Sequence, residues 1–175
     1  MTSGLRLVRV LAMPAVVLVF AAAVSSGQVL ERDISWGRSI AVPAEQGWVD
    51  TGLDVNRGEI LYFRAAGEIT LQRGNPAAAC GPDGMEIVSS GQPMPGRNTG
   101  SLIGKVVQLI GIRKDEETGE EIRDEIVEMF YIGPESRVSI PLNGRLFLGI
   151  NENVFADNGG RFTVDIFNLS RRAGP

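Results

Sequence analysis

Arg145-Leu146-Phe147-Leu148-Gly149-Ile150 and Phe162-Thr163-Val164-Asp165-Ile166-Phe167 decide the fold class. The first is the most strand-like run in the chain: short, apolar and bounded by turn residues. The second alternates apolar with polar side chains, as a strand with one buried face does. No stretch carries the period of about 3.6 residues that an amphipathic helix of useful length would need, and no internal repeat is present.

Segments of the same kind recur upstream. Ser39-Ile40-Ala41-Val42 runs into Pro43. Residues 48–55 alternate through Trp48, Thr51, Leu53 and Val55, then turn at Asn56-Arg57-Gly58. Ile60-Leu61-Tyr62-Phe63-Arg64-Ala65-Ala66 reads as a strand ending at Gly67, with Glu68-Ile69-Thr70-Leu71-Gln72 beyond it. Residues 102–110, 129–133 and 137–141 follow, and Asn143-Gly144 reads as a tight turn. Strands rich in Ile, Val, Phe, Tyr and Thr, about 10 residues apart, predict an all-β sandwich or barrel. Two stretches break the rhythm. Residues 74–99, rich in Gly, Pro, Ala, Ser and Asn, read as a long surface excursion, either a plain connection or a binding loop. Residues 113–128 are dense in charge and read as a hairpin turning at Thr118-Gly119 or a short exposed helix. A solvated protrusion is the simpler account of them, an acidic docking arm the alternative.

The N-terminus has the three parts of a secretory signal. Arg6 and Arg9 supply positive charge, residues 10–24 are uncharged and almost wholly apolar, and small residues follow from Ala21 to Gly27. A bilayer-spanning helix needs about 20 apolar residues, more than this stretch offers, and Pro14 interrupts it. The expected organisation is a signal peptide at 1–26, a connector at 27–39, one domain at 40–170 with a charged insertion at 113–128, and a tail at 171–175. The expected location is secreted or periplasmic, with no membrane attachment after cleavage.

The formal net charge is −4, and cleavage would remove Arg6 and Arg9 and make the domain more acidic. That argues against nucleic acid and against an anionic membrane surface as partners. Cys80 is the single cysteine, so no intrachain disulfide forms, and beside Gly81-Pro82 it reads as a partly buried loop thiol. The chain contains no histidine. Ser-His-Asp and Cys-His catalysis and the common histidine zinc sites are therefore excluded. A metal site would have to be built from oxygens, which points to calcium.

Asn151-Glu152-Asn153-Val154-Phe155-Ala156-Asp157-Asn158-Gly159-Gly160 joins the two deciding strands. Asn151, Glu152, Asn153, Asp157 and Asn158 put five side-chain oxygen donors in one short loop, two of them formally charged. Calcium takes six to eight oxygens from carboxylates, amides and carbonyls. The alternating spacing and flanking helices of an EF-hand are absent. Asn, Asp and Gly are also ordinary turn residues, so an unligated turn is equally consistent with this composition.

The order of several blocks resembles the calcium-dependent galactophilic lectins of bacteria, the LecA or PA-IL type. The blocks are Trp48-Val49-Asp50-Thr51-Gly52-Leu53-Asp54-Val55, Gly58-Glu59-Ile60, Ala65-Ala66-Gly67, Gly81-Pro82-Asp83-Gly84 and Gly100-Ser101-Leu102-Ile103-Gly104-Lys105. Ile132-Gly133, the run from Gly144 to Glu152, and Asp157-Asn158-Gly159-Gly160-Arg161-Phe162-Thr163-Val164 complete them. The charged stretch 113–128 falls outside the resemblance. The resemblance implies a single jelly-roll-like β-sandwich with calcium at one end, its shell completed by sugar hydroxyls. It implies as metal ligands the carbonyl of Leu71, the side chain of Glu152, a carbonyl from Phe155 or Ala156, and the side chains of Asp157 and Asn158. Asn151 adjoins the acidic ligand and is not itself expected on the metal. Sugar contacts would come from Glu152, Asn153, Asp157 and Gln92. Glu152 stands where the family usually has Asp, so its carboxylate reaches further. The family's sugar-contacting histidine is missing, with only Gln92 and Pro93 loosely comparable.

Three functions follow as alternatives. The first is a calcium-dependent carbohydrate-binding module for a galactose-like or other glycan. The second is a calcium-stapled structural domain that binds no sugar. The third, a glycosidase using Glu152 and Asp157 as its carboxylate pair, has no further support in the sequence, and a non-enzyme is expected. Related lectins associate, so a homo-oligomer is compatible with the reading, although no interface is legible.

Overall fold

Alternating apolar and polar side chains build two antiparallel sheets packed face to face. The computed structural model describes residues 36–169. The proposed signal peptide, most of the connector and the tail lie outside the described residues. In chain order the strands are β1 (Trp36–Pro43), β2 (Trp48–Val55), β3 (Ile60–Thr70), β4 (Ala79–Cys80), β5 (Met85–Val88) and β6 (Asn98–Thr99). They continue with β7 (Leu102–Lys114), β8 (Glu121–Tyr131), β9 (Glu135–Ser139), β10 (Gly144–Ile150) and β11 (Gly159–Asn168).

The first sheet has the order β1-β11-β3-β4, and β9 also pairs with β3. β3 is long enough to take β9 along its first half and β4 at its end. The second sheet has the order β2-β10-β7-β8, and β5-β6 form a separate ribbon. The chain crosses between the large sheets at β1–β2, β2–β3, β8–β9, β9–β10 and β10–β11. This is the jelly-roll-like sandwich expected from the sequence. Its core is the inward half of each alternation. Leu61, Phe63, Ala65, Ile69, Phe162, Val164 and Ile166 from the first sheet meet Val55, Leu102, Val106, Leu146, Leu148 and Ile150 from the second. Phe63 and Phe130 bridge the sheets with ring centroids 6.0 Å apart, a separation typical of favourable aromatic pairs.

Several local expectations change. β1 starts at Trp36 and so takes in the end of the connector. Gly67 does not end its strand: β3 runs through it. Gly67 has φ +112°, and a Cβ there would stand 2.6 Å from the Arg161 carbonyl oxygen. Across the ladder, a Cβ on Gly160 would stand 2.5 Å from the Glu68 carbonyl oxygen. These glycines let two backbones approach; they do not punctuate them. Asn143-Gly144, read as a tight turn, carries the chain from one sheet to the other, and Gly144 is already the first residue of β10. Residues 74–99 contain a 3-10 turn and three short strands within the excursion. Residues 113–128 form the hairpin alternative, at the outer end of β7–β8. Asp115 closes its turn by accepting from the Glu117 and Thr118 amides. These amides, Thr118 first, hold its carboxyl below the usual carboxylate range.

Candidate functional site

β10 ends in the second sheet and β11 begins in the first, so residues 151–158 bridge the sandwich at one end. Asn151 is fully buried at the root of this bridge. Its Oδ1 accepts from the Met94 amide at 2.8 Å, and its Nδ2 is shared among the carbonyls of Met94, Arg97 and Asn98 at 3.2 Å each. Its own carbonyl accepts from Gly100, and its amide donates to Ser101. Asn151 thereby pins the end of the 74–99 excursion beside the oxygen-rich loop.

Glu152 Oε1 accepts three hydrogen bonds: from the Asn153 amide at 2.7 Å, the Val154 amide at 3.0 Å and Gln92 Nε2 at 3.3 Å. Asn153 Nδ2 donates to the Gly91 carbonyl. Glu152, Asn153 and Gln92 therefore form one cluster, in which Oε1 of Glu152 caps its own loop.

Asp157 and Asn158 lie further along. Asn158 is fully buried, with Nδ2 donating to the Ala44 carbonyl at 3.1 Å and its amide to the Phe155 carbonyl at 3.2 Å. Its Oδ1 is buried and accepts no hydrogen bond from the described residues. The Asp157 side chain is exposed, and its carbonyl accepts from the Arg73 amide at 2.7 Å. Arg73 Nη2 donates to the Ala156 carbonyl at 2.5 Å. Arg73 therefore ties the turn that follows Leu71 to the loop carrying Asp157. The Leu71 amide donates to Ala78, and its side chain packs against the core. The Phe155 ring also packs against the core, so only its carbonyl is a candidate ligand.

Calcium fits this donor set in part. Among the described residues no group of three or more His, Cys, Asp and Glu side chains could hold a metal ion. Calcium would therefore rest on Glu152 and Asp157 together with neutral oxygens. The orphaned Oδ1 of Asn158 suits a cation, because a buried acceptor without a donor costs about 1–3 kcal/mol. Between the two candidate carbonyls, Arg73 already engages Ala156. Among the described residues the Phe155 carbonyl accepts one hydrogen bond, which leaves its second lone pair.

No protein-family model matches the chain, and no curated protein sequence matches it. Among solved structures, the chain is similar to the EclA N-terminal domain, described as a PllA-like lectin. The TM-score is 0.52 and the sequence identity 22%, covering 78% of this chain and 98% of that one. The fold is lectin-like. At that identity the likeness establishes the architecture and assigns no ligand.

Two contributors escape sequence reading. Arg73 sits in a turn whose neighbours gave no sign that it faces residue 156. The Ala44 carbonyl, which holds Asn158, carries no side-chain signal at all. Asn151 stood in view beside Glu152, but its partners lie more than fifty residues away.

Proposed function

We propose that this chain is an exported, calcium-dependent carbohydrate-binding module. The observation that carries the proposal is Asn158 Oδ1, fully buried and without a donor beside the exposed carboxylate of Asp157. The lectin-like fold supports it, as does the position of Gln92 and Asn153 on Glu152. Leu71, Glu152, Phe155, Asp157 and Asn158 would hold the calcium. It would supply charge-dense coordination to vicinal hydroxyls of a galactose-like or other glycan. Glu152, Asn153, Asp157 and Gln92 would border that sugar. Calcium is plentiful outside the cytoplasm, where a signal peptide at 1–26 would deliver the domain.

The test is calorimetric titration of the protein with calcium, repeated on Asp157→Ala, followed by a glycan array in calcium and in chelator. The expected result is one calcium site that weakens at least tenfold in the variant, with glycan binding lost in chelator. Absence of calcium binding sinks the proposal. Calcium binding with no glycan on the array would instead assign the structural staple. The absence of histidine, and with it of the sugar contact that the resemblance would require, is the observation that favours that second reading.

A further inference from the structure

The loop pinned by Asn151 carries a second feature, at the end of the second sheet. The Arg97 guanidinium carbon lies 4.8 Å from the centroid of the Tyr131 ring. With Gly96 and Asn98 these residues line an open cavity of about 150 Å³. Arg97 is one of several arginines without an ion-pair partner among the described residues, and it is the charged side chain of this cavity. A guanidinium held over a ring face keeps N–H groups free at its rim, and these can receive a carboxylate.

The surroundings are built. Asn151 holds the Arg97 and Asn98 carbonyls, and Asn98 Nδ2 donates to the Asp83 carbonyl at 3.0 Å. The Tyr131 hydroxyl lies over Gly133, where a Cβ would meet it. Burial raises the Tyr131 pKa first, and the Asp83 charge raises it further, while Arg97 opposes both. Asp83 and Arg97 therefore act on the same ring from opposite signs without forming an ion pair.

The cavity is near the oxygen-rich loop. Ile150 pairs with Leu102, and the adjacent Ile103 pairs with Tyr131. Two strand spacings, about 10 Å, thus separate Tyr131 from the start of residues 151–158. The same 91–98 segment touches Glu152 through Gln92 and the cavity through Arg97.

We propose that Arg97, held over the Tyr131 ring, is a carboxylate subsite, and that the ligand is an acidic saccharide whose neutral part occupies the Glu152–Asn158 loop. This rests on the carbohydrate-binding reading above and narrows its ligand class. A carboxylate there meets an unpaired guanidinium, with Asp83 weakening the attraction.

The test compares matched pairs in calcium buffer at low and constant ionic strength: galactose against galacturonate, and glucose against glucuronate, with acetate as a free carboxylate. Binding is followed by calorimetry and by Tyr131 ring shifts in NMR. In at least one pair the uronate is expected to bind about tenfold more tightly than its neutral partner. Arg97→Gln removes that difference and leaves the neutral sugar's affinity unchanged. Asp83→Asn enlarges the difference severalfold. Equal affinities in both pairs, or an advantage that survives Arg97→Gln, overturn the subsite alone. Acetate binding as tightly as the uronates would make this a free-anion site and overturn the saccharide assignment. Failure of every neutral and acidic sugar, here and on the glycan array, overturns the carbohydrate reading and the subsite with it. Arg97 is exposed and its backbone contacts do not depend on its side chain, so Arg97→Gln should fold normally, which its melting curve checks.

Discussion

Cys80 sits in β4 with its thiol in the core, and burial pushes its pKa from 9.0 up to about 11, helped by the Asp83 and Glu68 charges. The folded state therefore holds the thiol proton more tightly than the unfolded chain does. Between pH 9 and 11 the unfolded chain binds fewer protons, so stability falls as pH rises, by about 1–3 kcal/mol in all. Urea unfolding across that range should show a steeper loss in the protein than in Cys80→Ala, whose remaining slope comes from Tyr62 and Tyr131, both also raised by burial. Parallel slopes would mean that the thiol contributes nothing to the alkaline loss. At this scale the sequence was partly legible. The absence of histidine and the single cysteine bounded the chemistry outright. Asn151 and Asn158 are different: the same residue type, seven positions apart, serves as a loop pin in one case and an orphaned acceptor in the other. Only the positions of Met94 and Ala44, both distant in sequence, distinguish them.

Strands were legible as elements because a half-buried strand shows its period of two in any short window. Residues 145–150 and 162–167 became β10 and β11 with little change. Their pairing was not legible, since β3 and β11 meet across a separation such as the 101 residues between Arg64 and Asp165. The β7–β8 hairpin was seen as charge before it was seen as structure. Its outer half carries exposed Leu109, Ile110, Ile112, Ile126 and Val127. Its Arg113–Asp124 ion pair is solvent-exposed and worth little. β8 is an edge strand, and Glu121, Asp124, Glu125 and Glu128 along it oppose pairing with a second copy. The hairpin tip therefore contributes little to the folded core. Replacing residues 111–123 with Asn-Gly should shift Tm by less than about 5 °C. A larger loss would show that the tip is part of the cooperative unit.

Among the connections that cross between the two sheets, the one from β10 to β11 carries the candidate site at one end of the sandwich. Asn158 reaches Ala44 in the β1–β2 turn, and the Ala44 amide donates to Gly160. Arg73 adds the turn after β3. A cation bound there would tie three segments from both sheets, so its effect should be global rather than local. At calcium a hundredfold above its Kd, the gain is about 2.7 kcal/mol. Far-UV and near-UV melting curves should move upward together, and chelator should return both. A shift in the near-UV signal alone would confine the ion to a loop and contradict its role as a link between sheets. Arg73 sharpens the same test. Its guanidinium holds the Ala156 carbonyl and places a positive charge beside the loop that would receive calcium. Arg73→Ala should lower Tm in chelator, because the tie to residue 156 is lost, yet tighten calcium binding severalfold, because the competing charge is gone. Those opposite signs separate electrostatic competition from simple scaffolding: a variant that loses stability and calcium affinity together would make Arg73 a support of the site rather than a rival to the ion.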